Sequence, residues 1–501
     1  MRKNLEGRDK NYAKNTINRL NINTEHVILF SRIQTKRKEK AFMSGAKRRI
    51  RQQPSLTEGS VAKALVRFAL PFFISSVFQV LYGAADVTFM GLYATPGAIA
   101  GVSSGGSIMN LITNLFMGIT SGGTVLIGQY FGAKRDKDTT AAITSTAFMC
   151  LVISIVVMAI QLIFGKVLIR ALSVPPEAED ECWRYLKICA LGNVFIMGYN
   201  ITSSLLRGLG NSAAPMVFVG IACVMNIVLD YVFVALLNMA AAGAAAATVI
   251  AQFFSFAVAC LYIWRTGFPY DFRREDIRVD FRIVGNMFRL GIPMSLQNTL
   301  VSLSFIIITK ITNQMGVNAA AGASLVGKVV DVGLTFPWAL SSALATITAQ
   351  NIGAGKPERA RKSAFIGMGF SLAIAVPFVI IADCFPAQLL GLLAKDEAVI
   401  AEGVNYLYPF SWDCLVVCFM FCFNGLFNGS GKTVFVAAHN MLTAFCVRIP
   451  VAYLMSRIPG ATLFHVGLGT PLASLVSLVM CIVYYRMHFA GDKIKELRVI
   501  D

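Results

Sequence analysis

Long apolar stretches recur at fairly regular intervals along nearly the whole chain of 501 residues. Each stretch is long enough to cross a bilayer as a helix, because about 20 apolar residues span roughly 30 Å of hydrocarbon. The stretches are too poor in charge to be amphipathic surface helices, since only 14% of all residues are charged and 56% are hydrophobic. The pattern predicts an all-α polytopic membrane protein.

Twelve membrane spans are predicted, and the loops between them alternate in charge. The predicted spans are 64–91, 97–127, 139–164, 182–206, 213–237, 243–265, 283–313, 319–349, 361–385, 399–427, 433–456 and 467–489. The segments rich in Lys and Arg are Ala133–Asp138, Trp264–Arg282, Gly355–Lys362 and the tail from Arg486, whereas 175–181 and 394–403 are acidic. Basic loops favour the cytoplasmic side, so we expect both termini there, in a plasma (inner) membrane.

Residues 1–57 form a polar, basic segment without sustained periodicity. Residues 1–60 hold 15 Lys/Arg and 5 Asp/Glu, more than half of the net charge of +18. The remaining positive charge lies mainly in short loops, which favours a membrane protein over a nucleic-acid binder. We expect a disordered cytoplasmic arm that contacts anionic lipid. Met43 begins a stretch that would itself serve as a protein start, so the segment before it is expected to be dispensable.

Three pairs of motifs indicate that the chain contains an internal duplication. The pairs are Arg67–Pro71 with Arg289–Pro293, Gln129–Lys134 with Gln350–Lys356, and Arg207–Asn211 with Asn428–Lys432. The number of residues that separates the two members differs by no more than one between the three pairs. Each half has six spans, so both halves insert with the same orientation. The predicted domains are an N-lobe at 58–275, a C-lobe at 276–491 and a cytoplasmic tail at 492–501. A pseudo-two-fold axis along the membrane normal would relate the lobes.

Four polar side chains within the first half are candidates for a cation site. Asp86 lies in the first span, where a carboxylate is costly unless it faces protein or a water-filled cavity. Asn226 and Asp230 are four residues apart in the fifth span and share a helix face, and Thr248 lies in the alanine-rich sixth span. Their oxygens suit a hard cation or a shared proton. The alternative is that the two acids only hydrogen-bond between packed helices.

Pro71 lies about four helical turns before Asp86 in the same span. Because proline lacks a backbone N–H, a helix bends easily at this position. A bendable span that carries a buried acid suggests an ion-driven conformational change.

Polar and aromatic side chains in other spans are candidates for a substrate cavity. Asp413 in the tenth span would bind a cationic compound, and Asp331 in the eighth is a second candidate, although an ion pair with Lys328 is the favoured role. The aromatic rings suited to flat lipophilic cations are Phe73, Tyr82, Tyr199, Phe253, Phe305 and Phe336. The alternative is that these rings serve only helix packing.

The sequence predicts neither an enzyme nor a bound cofactor. The loops are too short to hold the nucleotide-binding domain of a primary pump. The four histidines show no ligand spacing, and the eleven cysteines include no CxxC pair. No metal site is predicted beyond Na+ at the Asp86 group.

The chain resembles the multidrug and toxic compound extrusion (MATE) family over about residues 58–490. The resemblance rests on Pro71, Asp86, Gly128–Lys134, Asn226–Asp230 followed by Gly243–Thr248, and Gln350–Gly355. It implies two six-helix lobes around a V-shaped central cleft. For the branch with an N-lobe cation site, it implies cation coupling by Asp86, Asn226, Asp230 and Thr248, with Pro71 as helix hinge. Other branches use a seventh-helix glutamate, but residues 283–313 contain no acid.

The predicted function is secondary active antiport, in which amphipathic, cationic drugs or toxic compounds leave in exchange for H+ or Na+. The expected partners are these small molecules and the lipid bilayer, with no nucleic acid, and the protein is expected to be a monomer. One alternative is a lipid-linked precursor flippase of the same superfamily, which usually has extra helices and a cationic groove. Another is a non-transporting membrane receptor or scaffold, which would not explain the duplication or the buried carboxylates.

Overall fold

A computed structural model of the chain describes residues 56–171 and 174–500. These residues form α-helices joined by turns and short 3₁₀ and π-helical segments, with no strand among them. Eleven helices are long and apolar enough to cross a membrane, and a bent pair supplies a twelfth span. Spans 1 to 12 are Val61–Tyr93, Pro96–Gly132, Asp136–Arg170, Pro176–Leu191 with Asn193–Gly208, Ala213–Leu236, Ala240–Thr266, Phe281–Asn313, Val317–Gly353, Pro357–Cys384, Glu397–Gly429, Thr433–Ser456 and Leu463–His488. The all-α polytopic fold class is confirmed.

The fourth span differs from its prediction. The sequence predicts one helix over 182–206, but the structure has two helices, Pro176–Leu191 and Asn193–Gly208, which meet at 53°. Gly192 lies at the bend, where an added Cβ would collide with the side chain of Val249 in span 6. The predicted span is therefore present but consists of two helices, because hydropathy records an apolar stretch and not a bend within it.

The residues just before span 1 contact the C-lobe. The predicted arm, 1–57, lies outside the described residues except for Leu56 and Thr57. Leu56 is buried, and its carbonyl accepts hydrogen bonds from Asn351 Nδ2 and Arg359 Nε, each at 3.3 Å. The Thr57 carbonyl accepts a hydrogen bond from Lys356 Nζ at 3.0 Å. The entry to span 1 is thus held by residues of the other lobe.

Spans 2 and 7 join the two lobes through a contact between small residues. A Cβ at Gly122 would lie only 2.7 Å from the backbone N of Gly291. One turn earlier, Gly118 lies against Ser295, whose hydroxyl donates a hydrogen bond to the Leu115 carbonyl at 2.5 Å. Small residues four apart let the backbones of two membrane helices approach closely. Any larger side chain at Gly122 would force the lobes apart.

The crossing of spans 1 and 8 is the duplicated counterpart of this contact, and it too is built from small residues. Spans 2 and 8 end at the repeated glycines Gly132 and Gly353, and the spacing of these glycines takes Gly118 to Ala339 and Gly122 to Ala343. Both alanines are fully buried, and Ala343 lies in a core cluster with Ala69 of span 1, the counterpart of Gly291. The two crossings therefore use small side chains in the same way.

The repeated glutamines meet at the end of the lobes that carries the basic loops. Gln350 Nε2 donates a hydrogen bond to the Gly208 carbonyl at 2.8 Å, and Gln129 Nε2 donates one to the Gly429 carbonyl at 3.1 Å. The two acceptor glycines have the same spacing in the sequence as the two glutamines. Each half thus makes the same contact to the other half, as a pseudo-two-fold relation requires.

A glycine in each repeated motif lets the lobes touch backbone to backbone at this end. A Cβ at Gly132 would collide with the carbonyl oxygen of Gln350, and a Cβ at Gly353 would collide with that of Gln129. The backbone N–H of Ile500 also donates to Gln129 Oε1 at 3.0 Å, so the C-terminal tail contacts the same place. We call Gln129, Gly132, Gln350 and Gly353 the Gln–Gly latch.

We expect Gly353→Leu to reduce transport several-fold, because the new side chain has no room beside the Gln129 carbonyl and the latch cannot close. Gly369→Leu in span 9 is the matched control, since no atom lies within 4 Å of an added Cβ there. The measurement is substrate uptake by proteoliposomes, with the thermal unfolding temperature of each variant. Equal uptake by the two variants would show that latch closure is not needed.

Candidate functional site

Asp86 and Asn226 form a direct contact between spans 1 and 5. Asn226 Nδ2 donates a hydrogen bond to Asp86 Oδ1 at 3.0 Å. Asn226 is fully buried and Asp86 is half-buried, so this pair lies inside the N-lobe. The contact joins residues that are 140 positions apart in the sequence.

Asp230 completes a pair of carboxyl groups at this place. It lies one turn after Asn226, is fully buried, and its carboxyl group is within hydrogen-bonding reach of the Asp86 carboxyl group. Neither Asp230 oxygen has a hydrogen-bond donor among the described residues. Two ionised carboxylates offer each other no donor, so the arrangement calls for a proton or a cation between them.

Two hydroxyl groups lie beside the carboxyl pair. The hydroxyl of Tyr82, one turn before Asp86 on span 1, lies near that of Thr248 on span 6, and neither has a hydrogen-bond partner among the described residues. Asn226 Oδ1 is also buried, with no donor among the residues that the structure describes. The structure thus brings all four predicted coupling residues together. It adds Tyr82, which the sequence placed in the substrate cavity although its i, i+4 spacing from Asp86 signals a shared helix face.

Pro71 lies within span 1, which is one continuous helix from Val61 to Tyr93. Because the proline has no N–H, the Arg67 carbonyl loses its usual partner one turn earlier. Ser75 Oγ donates to the Pro71 carbonyl at 2.8 Å, and Ser76 Oγ donates to the Phe72 carbonyl at 3.2 Å. The helix thus lacks one backbone hydrogen bond at the position where the sequence predicts a hinge. The bending itself stays a prediction.

Two adjoining cavities lie where the lobes meet. Their volumes are about 130 Å³ and about 330 Å³. The residues common to both linings are Met117, Gln297, Asn298, Trp338 and Phe421. These five residues form a wall common to both cavities.

The charged groups on these cavity walls are mainly cationic. Arg207 lines the smaller cavity, and its guanidinium lies 4.1 Å from the centre of the Phe72 ring. Arg448 and Asp413 line the larger cavity. The sequence predicts a cavity of acids and aromatic rings, and of those predicted residues Phe305 and Asp413 line the larger cavity. The sequence did not single out either arginine.

The remaining predicted cavity residues lie away from these two linings. Phe73 and Phe336 pack edge-to-face with ring centres 5.4 Å apart. Tyr199 is buried beside Arg207, and Phe253 packs edge-on against Phe195.

Asp331 does not form the ion pair that its spacing predicts. Asp331 and Lys328 are both exposed, and the ion pairs of the described residues do not include them. An exposed pair gains too little to hold two flexible side chains in one geometry. This prediction is therefore wrong, and Asp331 lies outside both cavity linings.

Comparison with known proteins places this geometry in a family. The MatE family model matches residues 71–232 and 293–454, two copies that keep the spacing of the paired motifs. The probable multidrug resistance proteins YoeA and YpnP of Bacillus subtilis are 26% and 25% identical, over 89% and 86% of this chain and 99% and 96% of their own lengths. A solved outward-facing multidrug resistance MATE transporter of the MOP superfamily superposes with a TM-score of 0.82 at 19% identity, covering 86% of this chain and 96% of that one. The chain therefore belongs to the MATE family of multidrug efflux transporters, with two lobes that arose by duplication.

Proposed function

We propose that this protein is a secondary active antiporter that exports amphipathic compounds across the plasma membrane in exchange for H+ or Na+. The observation that carries the proposal is the carboxyl pair of Asp86 and Asp230, which is buried in the N-lobe without a donor between its members. The relatives' description as probable multidrug resistance proteins supports drugs or toxic compounds as the exported class.

The carboxyl pair supplies a physical reason for ion coupling. With a proton or Na+ bound, the repulsion between Asp86 and Asp230 is relieved, and the Asn226 contact aligns span 5 with span 1. When the cation leaves, the two negative charges repel, and the favoured relative position of the two spans changes. A cation that binds one conformation better than the other shifts the balance between them, and substrate binding must then respond.

Span 1 connects this pair to the lobe interface. Its N-terminal half packs against span 8 of the C-lobe through Leu65, whereas Asp86 lies near its other end. Pro71 lies between the two, so a bend there would move the interface relative to the cation site. We propose that occupancy of the carboxyl pair sets the bend of span 1 and thereby the access of the cavities to each side of the membrane.

Proteoliposome transport with imposed ion gradients tests this function. We expect accumulation of a fluorescent amphipathic compound when either a proton or a sodium gradient is imposed, and none when both gradients are dissipated. The gradient that suffices identifies the coupling ion. Accumulation that continues when both gradients are dissipated, or that requires a nucleotide, would contradict antiport.

A lipid-linked precursor flippase is the second candidate, and one observation favours it. Arg207 and Arg448 give the cavities two cationic groups, and guanidinium groups bind phosphate well. Antiport is still preferred, because flipping alone gives no role to the carboxyl pair. Transport of a lipid-linked phosphate without a gradient, in the same vesicles, would favour the flippase.

A further inference from the structure

The C-lobe carries an arginine where the N-lobe carries its cation site. The two MatE matches, 71–232 and 293–454, have the same length, and the shift between their first residues takes Asn226 to Arg448. The same shift takes Asp86 to Ile308 and Asp230 to Ala452, which pack together as buried apolar residues. At this shift the C-lobe has a guanidinium and two apolar side chains where the N-lobe has an amide and two carboxyl groups, so the C-lobe position is not a second cation site.

Neighbouring side chains hold Arg448 at the wall of the larger cavity. Its Nη1 donates a hydrogen bond to Ser304 Oγ at 3.1 Å, and its guanidinium lies 4.5 Å from the centre of the Phe305 ring. Its Nε–H is buried and has no acceptor among the described residues. Its Nη2 also has no acceptor among the described residues but is not buried, so Nη2 is the donor that can pair with a carboxylate or phosphate oxygen.

Asp413 is the nearest acid, but it does not neutralise Arg448 by contact. The two side chains face the same cavity, yet no ion pair joins them among the described residues. Asp413 is only 4% exposed, and its Oδ1 also lacks a donor. The cavity is thus lined by a guanidinium group and, separately, by a carboxyl group that do not pair with each other by contact.

The rest of the larger cavity suits an organic ligand with a flat apolar body. Its volume of about 330 Å³ is in the range of small-molecule sites. Phe305, Trp338 and Phe421 supply aromatic surface, and Asn298 and Asn440 supply amide groups. Arg207 adds a second guanidinium on the wall of the adjoining cavity.

We propose that Arg448 binds an anionic group of the transported compound, a carboxylate or a phosphate, while the aromatic rings of the larger cavity hold its apolar part. The proposal rests on the transport function above and names its substrate class as amphipathic anions or zwitterions rather than simple cations. Asp413 would accept a hydrogen bond from a donor or cationic group on the same compound.

Binding to purified protein in lipid nanodiscs tests the proposal without any ion gradient. The probes are pyrenebutyrate, pyrenebutanol and pyrenebutylamine, which share one ring system and differ in charge, and the readout is fluorescence anisotropy. We expect the carboxylate to bind about tenfold more tightly than the alcohol. Arg448→Gln should remove this preference, and Arg448→Lys should keep part of it. Equal affinities for the three probes, or tightest binding of the amine, would overturn the proposal.

Arg457→Gln is the matched control. Arg457 is exposed and lies 5.0 Å from the ring centre of Tyr453, so it repeats the arginine-on-ring contact outside both cavities. We expect it to bind all three probes as the unchanged protein does. If Arg448→Gln fails to fold, the comparison of Arg448→Lys with Arg457→Lys tests the proposal instead. A lysine cannot form a bidentate pair with a carboxylate, so only Arg448→Lys should weaken the preference for pyrenebutyrate.

Two further arms separate this proposal from its alternatives. Asp86→Asn should keep the preference for pyrenebutyrate over pyrenebutanol even where it abolishes coupling and changes the affinity for both probes together, so failure of the antiport proposal and failure of the anion site are distinguishable. Dioleoylphosphatidate is added to the nanodiscs as a competing lipid phosphate. Displacement of pyrenebutyrate by this lipid at low fractions would assign Arg448 to a lipid headgroup and overturn the assignment to a transported compound.

Discussion

Asp86→Asn is expected to abolish gradient-driven export, to the level of protein-free liposomes, while the protein remains folded. The substitution keeps the shape of the side chain, and its amide oxygen can still accept the hydrogen bond from Asn226 Nδ2. The new amide N–H₂ can donate to Asp230, whose oxygens otherwise lack a donor among the described residues. The contact between spans 1 and 5 would thus persist without any cation. A site that no longer changes charge cannot exchange an ion for substrate.

The measurement is uptake by proteoliposomes under the gradient that drives the unchanged protein, together with the thermal unfolding temperature. Asp331→Asn is the matched control, because Asp331 is an exposed membrane-span acid outside the carboxyl pair and both cavity linings. We expect the control to transport normally. If Asp86→Asn still concentrates substrate against a gradient, the carboxyl pair is structural and Asp413 becomes the better candidate for coupling.

Gly122→Leu is expected to prevent assembly of the two lobes. Inserting methylene groups into a packed core typically costs about 1–3 kcal/mol, and here the obstacle is backbone that cannot rotate away. An added Cβ already lies 2.7 Å from the Gly291 backbone N, so a leucine would have to separate spans 2 and 7. We expect a large loss of folded protein rather than a transport defect alone.

Gly106→Leu is the control, since it lies on the same span with no atom within 4 Å of an added Cβ. The yield of monodisperse protein after detergent extraction, and its unfolding temperature, compare the two variants. A Gly122→Leu protein as stable as the control would mean that the lobes tolerate separation at this crossing. The pseudo-symmetric contact through Ala343 would then be the one that holds them together.

The spans and the duplication were readable from the sequence because both depend on local properties. A membrane helix needs a long apolar stretch wherever it packs, so hydropathy marked the twelve spans to within a few residues at most boundaries. A duplication leaves motifs at one spacing whether or not their roles are known, and the two MatE matches repeat that spacing. Asp86, Asn226 and Asp230 could be named as candidates for a cation site because an intramembrane carboxylate or amide is costly without a partner.

Features that depend on which helices face each other required the tertiary structure. The bend in span 4 lies at Gly192, where the side chain of Val249, two spans further along the chain, leaves no room for a Cβ. The sequence interpretation placed Tyr82 in the substrate cavity, whereas the structure places it near Thr248 of span 6.

The charge of the substrate path also emerged only from the packing of the helices. Arg207 lies in the last turn of its helix, and Arg448 ends a π-helical segment within span 11. Neither position by itself indicates that the side chain faces a cavity. Packing of the lobes turns both guanidinium groups towards the cavities, while five of the six predicted aromatic rings lie elsewhere. Hydropathy and spacing describe each helix by itself, whereas the chemistry of a cavity depends on the rotation of every helix around it.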